Sequence, residues 1–497
     1  MTRLLTHRDS REDGFALIAT MLAIFIATLI ATSMMYLSFH DSTAGARNRS
    51  WGQAIHVAES GMHEAIAYLQ ANNGAVPPST ITGTTADGTY QYKVTALPRN
   101  RYQIDSIGSV GNVVSLSAAR RIRVTLAPPH SFKYALFSLS DVTTKNNNLV
   151  CGDIWANTDV TVFQNDQVVA GTDPQCPSGS IGSGSATAAG GTITLQHNSV
   201  VEGDAWSGNF DSSGDGISLA GGARIGGFAK ASSATPACAD DPGHDGYAID
   251  NGGTIAGPAT AWGTIGGGGS FSTQSPMTCT PAAATKTIPT FNYSAANYPG
   301  PSLHEYTFPA DYAAFNAYIA ANQNNLEGTF HIIGGDASTP VNLTGVQIAG
   351  DTTIIADSAP IDASGGIGAA NNDDKLLVLA SFYAPSGGPT DSGCTTNGGN
   401  PGDCAIGFKN NFQPASGDLT GGNNTAVLLY APNGPVAFKN NAQFQGAVYA
   451  SNIQLKNNMN VVYDTRVDQI VGFGPETLVV DQWLECSSSG SLTTTDC

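Results

Sequence analysis

"FKNNAQFQGAVYASNIQLKNNMNVVYD", residues 438–464, writes one phrase twice. Lys-Asn-Asn stands at Lys439 and again at Lys456, 17 residues on, and each copy leads into short apolar runs. That spacing is about one coil of a parallel β-solenoid, where short strands stack and the chain bends between them. Asparagine suits such bends because its short polar side chain tolerates the left-handed backbone they require. Stacked asparagines are expected to form side-chain ladders of the cross-β kind.

Working outward, Lys-Asn-Asn recurs at Lys145 and Lys409, and runs of turn, apolar, glycine, apolar return unevenly, as in "QHNSVVEGDAWSG" from Gln196 and "LTGVQIAGDTTIIAD" from Leu343. The expectation is a mainly β protein whose residues 130–485 form an irregular parallel β-helix head, with a β-sandwich as the alternative. Residues 173–190, 234–250, 263–289 and 384–403 are rich in Gly, Ser, Thr and Pro and read as surface loops pinned by disulfides. "ADYAAFNAYIAANQNN", residues 310–325, is the one clear helix here, with Tyr312, Phe315 and Ile319 set to cap or flank the coils.

Composition agrees with a turn-dense β body: 58 of 497 residues are glycine and only 12% are charged. The formal net charge of −18 excludes nucleic acid as an expected partner, because phosphate binding needs a basic stripe. All eight cysteines lie beyond residue 150, with no Cys-x-x-Cys among them. That usage points to disulfides in an oxidising compartment. The shortest of many connectivities joins Cys151 to Cys176, Cys238 to Cys279, Cys394 to Cys404 and Cys486 to Cys497, the last closing a tail over residues 486–497.

The other end of the chain is different. "REDGFALIATMLAIFIATL", residues 11–29, begins an uncharged run over residues 15–39. It is longer than the roughly 7–15 apolar residues of a cleaved secretion signal and meets the about 20 a membrane span needs. Trp51, Ile55, Ala58, Met62, Ile66 and Leu69 then recur every three or four residues, as on one stripe of a helix, until Asn72, Asn73 and Gly74 stop it. One helix over residues 15–73 would be on the order of 85–90 Å long. Two helices broken near Gly45 or Gly52 are the alternative. Residues 88–127 alternate apolar and polar in three segments and predict a three-stranded antiparallel sheet covering the helix stripe. Arg120, Arg121 and Arg123 on the last strand read as a solvated edge that discourages further pairing.

A charged leader ending in glycine, Phe at the next position, an apolar helix and "AIHVAESGMHEAIAYL" together resemble the N-terminus of type IV prepilin-like proteins, most closely the PilX-type minor pilins and pseudopilins. The resemblance covers roughly residues 10–75. It implies a leader over residues 1–14, cleavage by a prepilin peptidase between Gly14 and Phe15, methylation of Phe15, and a pilin-like unit of helix 15–73 and sheet 74–129. Ala58, Glu59 and Gly61 match the "AAExG" element of that group and are the expected assembly residues. Shaft-forming pilins carry Glu five positions into the mature chain, and Ala19 stands there. A subunit without that carboxylate leaves a neighbour's buried ammonium unpaired, which points to a filament tip or another low-copy position. The implied partners are other pilin or pseudopilin subunits, the peptidase and the cytoplasmic membrane, with the head outside the cytoplasm facing a surface carbohydrate or host-cell ligand.

Catalytic signatures are missing: no Gly-x-Ser-x-Gly, His-Glu-x-x-His or Walker loop occurs. An enzyme is not expected, and a polysaccharide-active β-helix would need clustered carboxylates that the sequence does not offer. A membrane-tethered surface protein without a filament is the other alternative. "DSSGDG" with Asp211, Ser213 and Asp215, and "DPGHDG" with Asp241 and Asp245, begin like calcium loops, but Gly222 and Gly252 stand where the twelfth-position acid belongs. Ordinary Asp-Gly turns are the competing reading.

Overall fold

The structure is a computed structural model and describes residues 10–72, 75–97, 101–110, 118–127, 132–170, 178–184, 191–208, 215–232, 248–261, 263–276, 285–291, 303–370, 375–385, 403–408, 425–469 and 479–486. The chain divides into two compact units, Met1–Pro128 with Glu476–Cys497, and Pro129–Pro475.

The first unit starts with α1, Ser10–Ala71, a single helix of 62 residues and about 93 Å. Gly45 and Gly52 lie inside it without a break. A lone glycine costs only ~1 kcal/mol in a helix, too little to interrupt one flanked by good helix formers. Its end is closed where the Tyr68 carbonyl accepts bonds from both the backbone N–H (3.0 Å) and Nδ2 (2.8 Å) of Asn72.

Four strands follow: β1 (Ile81–Thr85), β2 (Gly88–Leu97), β3 (Arg101–Val110) and β4 (Ala118–Ala127). They pair antiparallel in sequence order, and a fifth strand, Val479–Cys486, completes the sheet beside β4. Two expectations are corrected here. The sheet has five strands among the described residues rather than three, and residues 479–485 pair in the first unit although the sequence reading gave them to the head. The whole second unit is therefore spliced between two hydrogen-bonded neighbours of this sheet, a pairing that no local alternation pattern can reveal.

The second unit is one parallel sheet of 28 strands among the described residues. In its first half most strands have three residues, and each as far as Arg224–Ile225 pairs with the third strand after it. Leu136–Ser138, Ile154–Ala156, Ile181–Ser183, Ala205–Ser207 and Ala229–Ala231 make one ladder. Val142–Thr144, Val160–Val162, Ile193–Leu195, Ile217–Leu219 and Ile249–Asn251 make a second. Residues opposite one another in that ladder, Val142, Val160, Ile193, Ile217 and Ile249, are all buried in one continuous core. In the second half the strands lengthen: Leu303–Phe308, Leu326–Gly334, Val346–Ala356, Lys375–Ser381, Thr425–Asn440 and Gln443–Asn457 pair in succession. Parallel pairing throughout this sheet is not the antiparallel arrangement of a β-sandwich.

The last of these strands returns to the first. Gln443–Asn457 pairs with Leu136–Ser138 and Val142–Thr144, and Asn460–Val462 pairs with Leu149–Cys151. The chain thus enters the stack at an interior position, runs out to one end, and winds back from the other. At the second end, helix α2 (Tyr312–Ala321) flanks Leu303–Phe308, burying Phe315 and Ile319 and setting Tyr312 edge-on to Phe308. It is shorter than the expected 310–325.

The opening repeat is explained at the corners. Asn441, Asn458, Asn147, Asn165 and Asn198 all have positive φ, between 51° and 59°. Asn458 Nδ2 donates to Asn441 Oδ1 (3.3 Å), Asn165 Nδ2 to Asn147 Oδ1 (3.4 Å) and Asn198 Nδ2 to Asn165 Oδ1 (3.5 Å). A second column runs from Asn146 Nδ2 to Asn457 Oδ1 (2.9 Å) and from Asn457 Nδ2 to Asn440 Oδ1 (3.0 Å). In the described copies the second asparagine of Lys-Asn-Asn is therefore at a bend, and Asn440 and Asn457 end the strands that lead into it, with side chains bonded between neighbouring strands. The copy at Lys409 lies outside the described residues.

Candidate assembly helix and its sheet

Helix α1 has two characters. Over residues 17–39 every side chain is exposed, including Leu17, Met21, Phe25, Ile26, Leu29 and Leu37, and the segment is long and apolar enough to cross a membrane. Apolar surface of that extent on a helix needs a non-aqueous neighbour. Over its last five turns the helix instead packs on the sheet, through Val57, Ala58, Met62, Ala65 and Leu69 against Tyr92, Ile104, Ile122, Val124 and Leu126.

The buried stripe is not the one that the spacing of large residues suggests. Trp51 is 44% exposed and Ile55 and Ile66 are half-buried, while Ala54, Ala58 and Ala65 are fully buried. Small residues set the approach. A Cβ on Gly108 would lie 2.1 Å from the Ala54 carbonyl oxygen and 2.3 Å from the Ala58 nitrogen, so backbone meets backbone there. A Cβ on Gly61 would lie 2.5 Å from Ser106 Oγ and 2.9 Å from Tyr90 Cδ2. Ser106 Oγ donates to the Ala58 carbonyl at 2.7 Å, and the Tyr90 hydroxyl donates to Glu64.

The four residues Ala58 to Gly61 thus divide by role. Ala58 and Gly61 let the sheet come close, and Glu59 sits at the margin, 2.9 Å from His56 Nδ1, with a side chain still 36% exposed. Gly14 and Phe15 fall inside α1, and Ala19 is exposed on it. Sequence reasoning missed Ser106 and Gly108. A glycine inside an alternating strand is a signal of close backbone approach and was the available clue.

The arginines of β4 are also corrected. Arg121 is wholly buried, not solvated: its Nη2 and Nε lie 2.7 and 3.2 Å from Asp105 Oδ1, which also accepts Arg123 Nε at 2.9 Å. Arg120 lies 4.4 Å over the Trp51 ring and 3.4 Å from Glu485 of the C-terminal strand. The fifth strand makes β4 an interior strand with neighbours on both edges, so it is not the solvated edge expected, and the enclosed Arg121 needs an acidic partner.

Of the remaining candidates, Asp215 is described, whereas Asp211, Ser213, Asp241 and Asp245 lie outside the described residues, and among the described residues no group of three metal-ligating side chains gathers. Cys151, Cys404 and Cys486 are disulfide-bonded and none is a free thiol. Cys176, Cys238, Cys279, Cys394 and Cys497, and with them the connectivity, lie outside the described residues. Comparison with family models, with curated proteins and with solved structures finds no match to this chain.

Proposed function

We propose that this chain is a minor pilin or pseudopilin-like subunit of a type IV pilus-type filament. Its α1 is held in the cytoplasmic membrane and then packed among neighbouring subunits, while a large parallel β-helix head is displayed for assembly or surface adhesion. The observation that carries this reading is the division of one 62-residue helix into an exposed apolar segment and a segment packed on an antiparallel sheet. An anchor alone explains the first part and not the second. The repeated three-strand turns with bonded asparagine corners support reading the second unit as coils of an irregular β-helix. Ala19, where a shaft subunit would carry Glu, supports a tip or low-copy position.

Mass spectrometry of the N-terminus from native membranes tests the proposal. Cleavage after Gly14 and a methylated Phe15 are expected. Retained Met1 overturns it in favour of a membrane-tethered surface protein. Immunogold labelling tests the position: uniform decoration of the shaft removes the tip assignment.

A further inference from the structure

The two halves of the second unit meet at a seam, where Gln443–Asn457 pairs with Leu136–Ser138 and Val142–Thr144. On its other side Gln443–Asn457 pairs along most of its length with Thr425–Asn440, but at the seam it meets only strands of three residues. Shorter ladders with fewer backbone bonds open more readily. The seam is also where residues far apart in the chain are joined, so the loop between them gives no local tether.

Residues 285–291, on the only chain segment joining the two halves, lie against side chains from both. On the first half, the Lys286 N–H donates to Asn157 Oδ1 (2.9 Å) and the Lys286 carbonyl accepts from Asn157 Nδ2 (2.6 Å). Lys286 Nζ rests 3.3 Å from the centre of the Trp155 ring and bonds the Tyr134 hydroxyl. On the second half, the Pro289 carbonyl accepts from the Tyr430 hydroxyl (2.9 Å), and Phe291 stacks on Phe382 at 5.8 Å and leans on Tyr430 at 6.1 Å. Beneath it, Tyr430, Tyr449, Phe137 and Trp155 are opposite one another on successive strands, an aromatic column that runs across the seam. The Phe137 and Tyr449 rings stack at 5.2 Å. The segment is thus fastened by side chains at two points, one on each side of the joint.

We propose that residues 285–291 are a releasable strap that holds the seam shut, and that their detachment opens the head between Gln443–Asn457 and the strands Leu136–Ser138 and Val142–Thr144. The fastening is of a kind that can let go. Burial lowers the Lys286 amine to about 8, with Lys133 acting in the same direction and Asp153 against it, so the charged strap residue sits in a costly environment.

The test is amide hydrogen exchange on the full chain, comparing the native protein with a Lys286→Ala, Phe291→Ala double variant. The seam amides are Leu139, Ser140, Lys145 and Leu149, which donate to Ala450, Ser451, Leu455 and Met459. Amides distant from it are Ala220, Gly226 and Ser232, which donate to Leu195, Val201 and Ser207. The expected result is exchange faster by about tenfold or more at the seam, with the distant set unchanged. An equal rise in both sets, or none at the seam, overturns the proposal. Should the double variant fail to fold, Asn157→Ala removes both bonds to the Lys286 backbone and leaves the strap's own side chains in place, and a rise confined to the seam is again required.

Discussion

Asp105 in the first unit and Asp166 in the second are both buried carboxylates, and their surroundings differ completely. Asp105 meets two guanidinium groups, Arg121 and Arg123, across an antiparallel sheet. Asp166 meets neutral groups instead: Oδ1 accepts the Asn148 N–H at 2.7 Å, while Oδ2 is buried without a hydrogen bond. The antiparallel unit brings opposite charges from neighbouring strands together. The parallel stack sets each corner above a similar corner, so neutral groups that both donate and accept, above all asparagine, suit it best. At Asp105 the buried charge is met by opposite charge, whereas at Asp166 only hydrogen bonds from neutral groups offset its desolvation.

The largest expected effect breaks the first arrangement. Asp105→Ala leaves Arg121 buried without its carboxylate and should lower stability by about 3–5 kcal/mol. Urea denaturation followed by hydrogen exchange should show the loss in β3 and β4 and not in the stack. A loss below about 1 kcal/mol would mean the pair is not what holds Arg121.

Next comes the close approach of helix and sheet. Gly61→Ala forces a Cβ against Ser106 Oγ and the Tyr90 ring, and overpacking of this kind costs about 1–3 kcal/mol. The Ser106→Ala, Gly61→Ala double variant removes one of the two obstacles and should recover part of that cost. Equal stability of Gly61→Ala and the native protein would show that Gly61 is not required for packing.

In the stack, Asn165 has φ 56° and bonds both Asn147 and Asn198. Asn165→Ala should cost about 1–2 kcal/mol, since alanine pays the left-handed backbone cost and drops the ladder. Asn165→Gly keeps the backbone at ease and should cost less. The order of the two in thermal denaturation decides whether backbone or ladder dominates.

How far this was legible follows the same divide. The corners of the stack are local: Asn441 and Asn458 announce themselves because the bend selects their residue type, and the 17-residue spacing of Lys439 and Lys456 carries the turn length. The long helix was legible for the same reason, as continuous periodicity. The fifth strand was not, because Val479–Cys486 is set beside β4 by pairing across the entire second unit, and nothing in "RRIRV" says that its arginines will be enclosed. The seam was equally hidden, since each of its strands is an ordinary repeat by itself. At the helix, large residues misled: Trp51 fits the stripe by spacing, but Ala54, Ala58 and Gly61 decide which face the sheet can reach.

The smallest expected effect has the opposite sign. Burial raises the Asp166 carboxyl, against the weaker opposing effect of hydrogen bonding from Asn148, Thr144 and the Phe163 backbone. A carboxyl raised in the folded state favours folding while protonated and loses that contribution as pH rises through its folded value, so at neutral pH the ionised group opposes folding. Asp166→Asn keeps an acceptor for the Asn148 N–H and puts a donor where Oδ2 has no partner, beside the Thr144 hydroxyl. The variant should be more stable than the native chain by about 1 kcal/mol at pH 7, and the advantage should shrink as pH falls toward the ordinary carboxyl range and the native Asp166 takes up its proton. Chemical denaturation at pH 7 and pH 4 measures both halves of the claim. A variant less stable at pH 7, or an advantage that grows on acidification, would mean that Asp166 is better supported than its neighbours indicate.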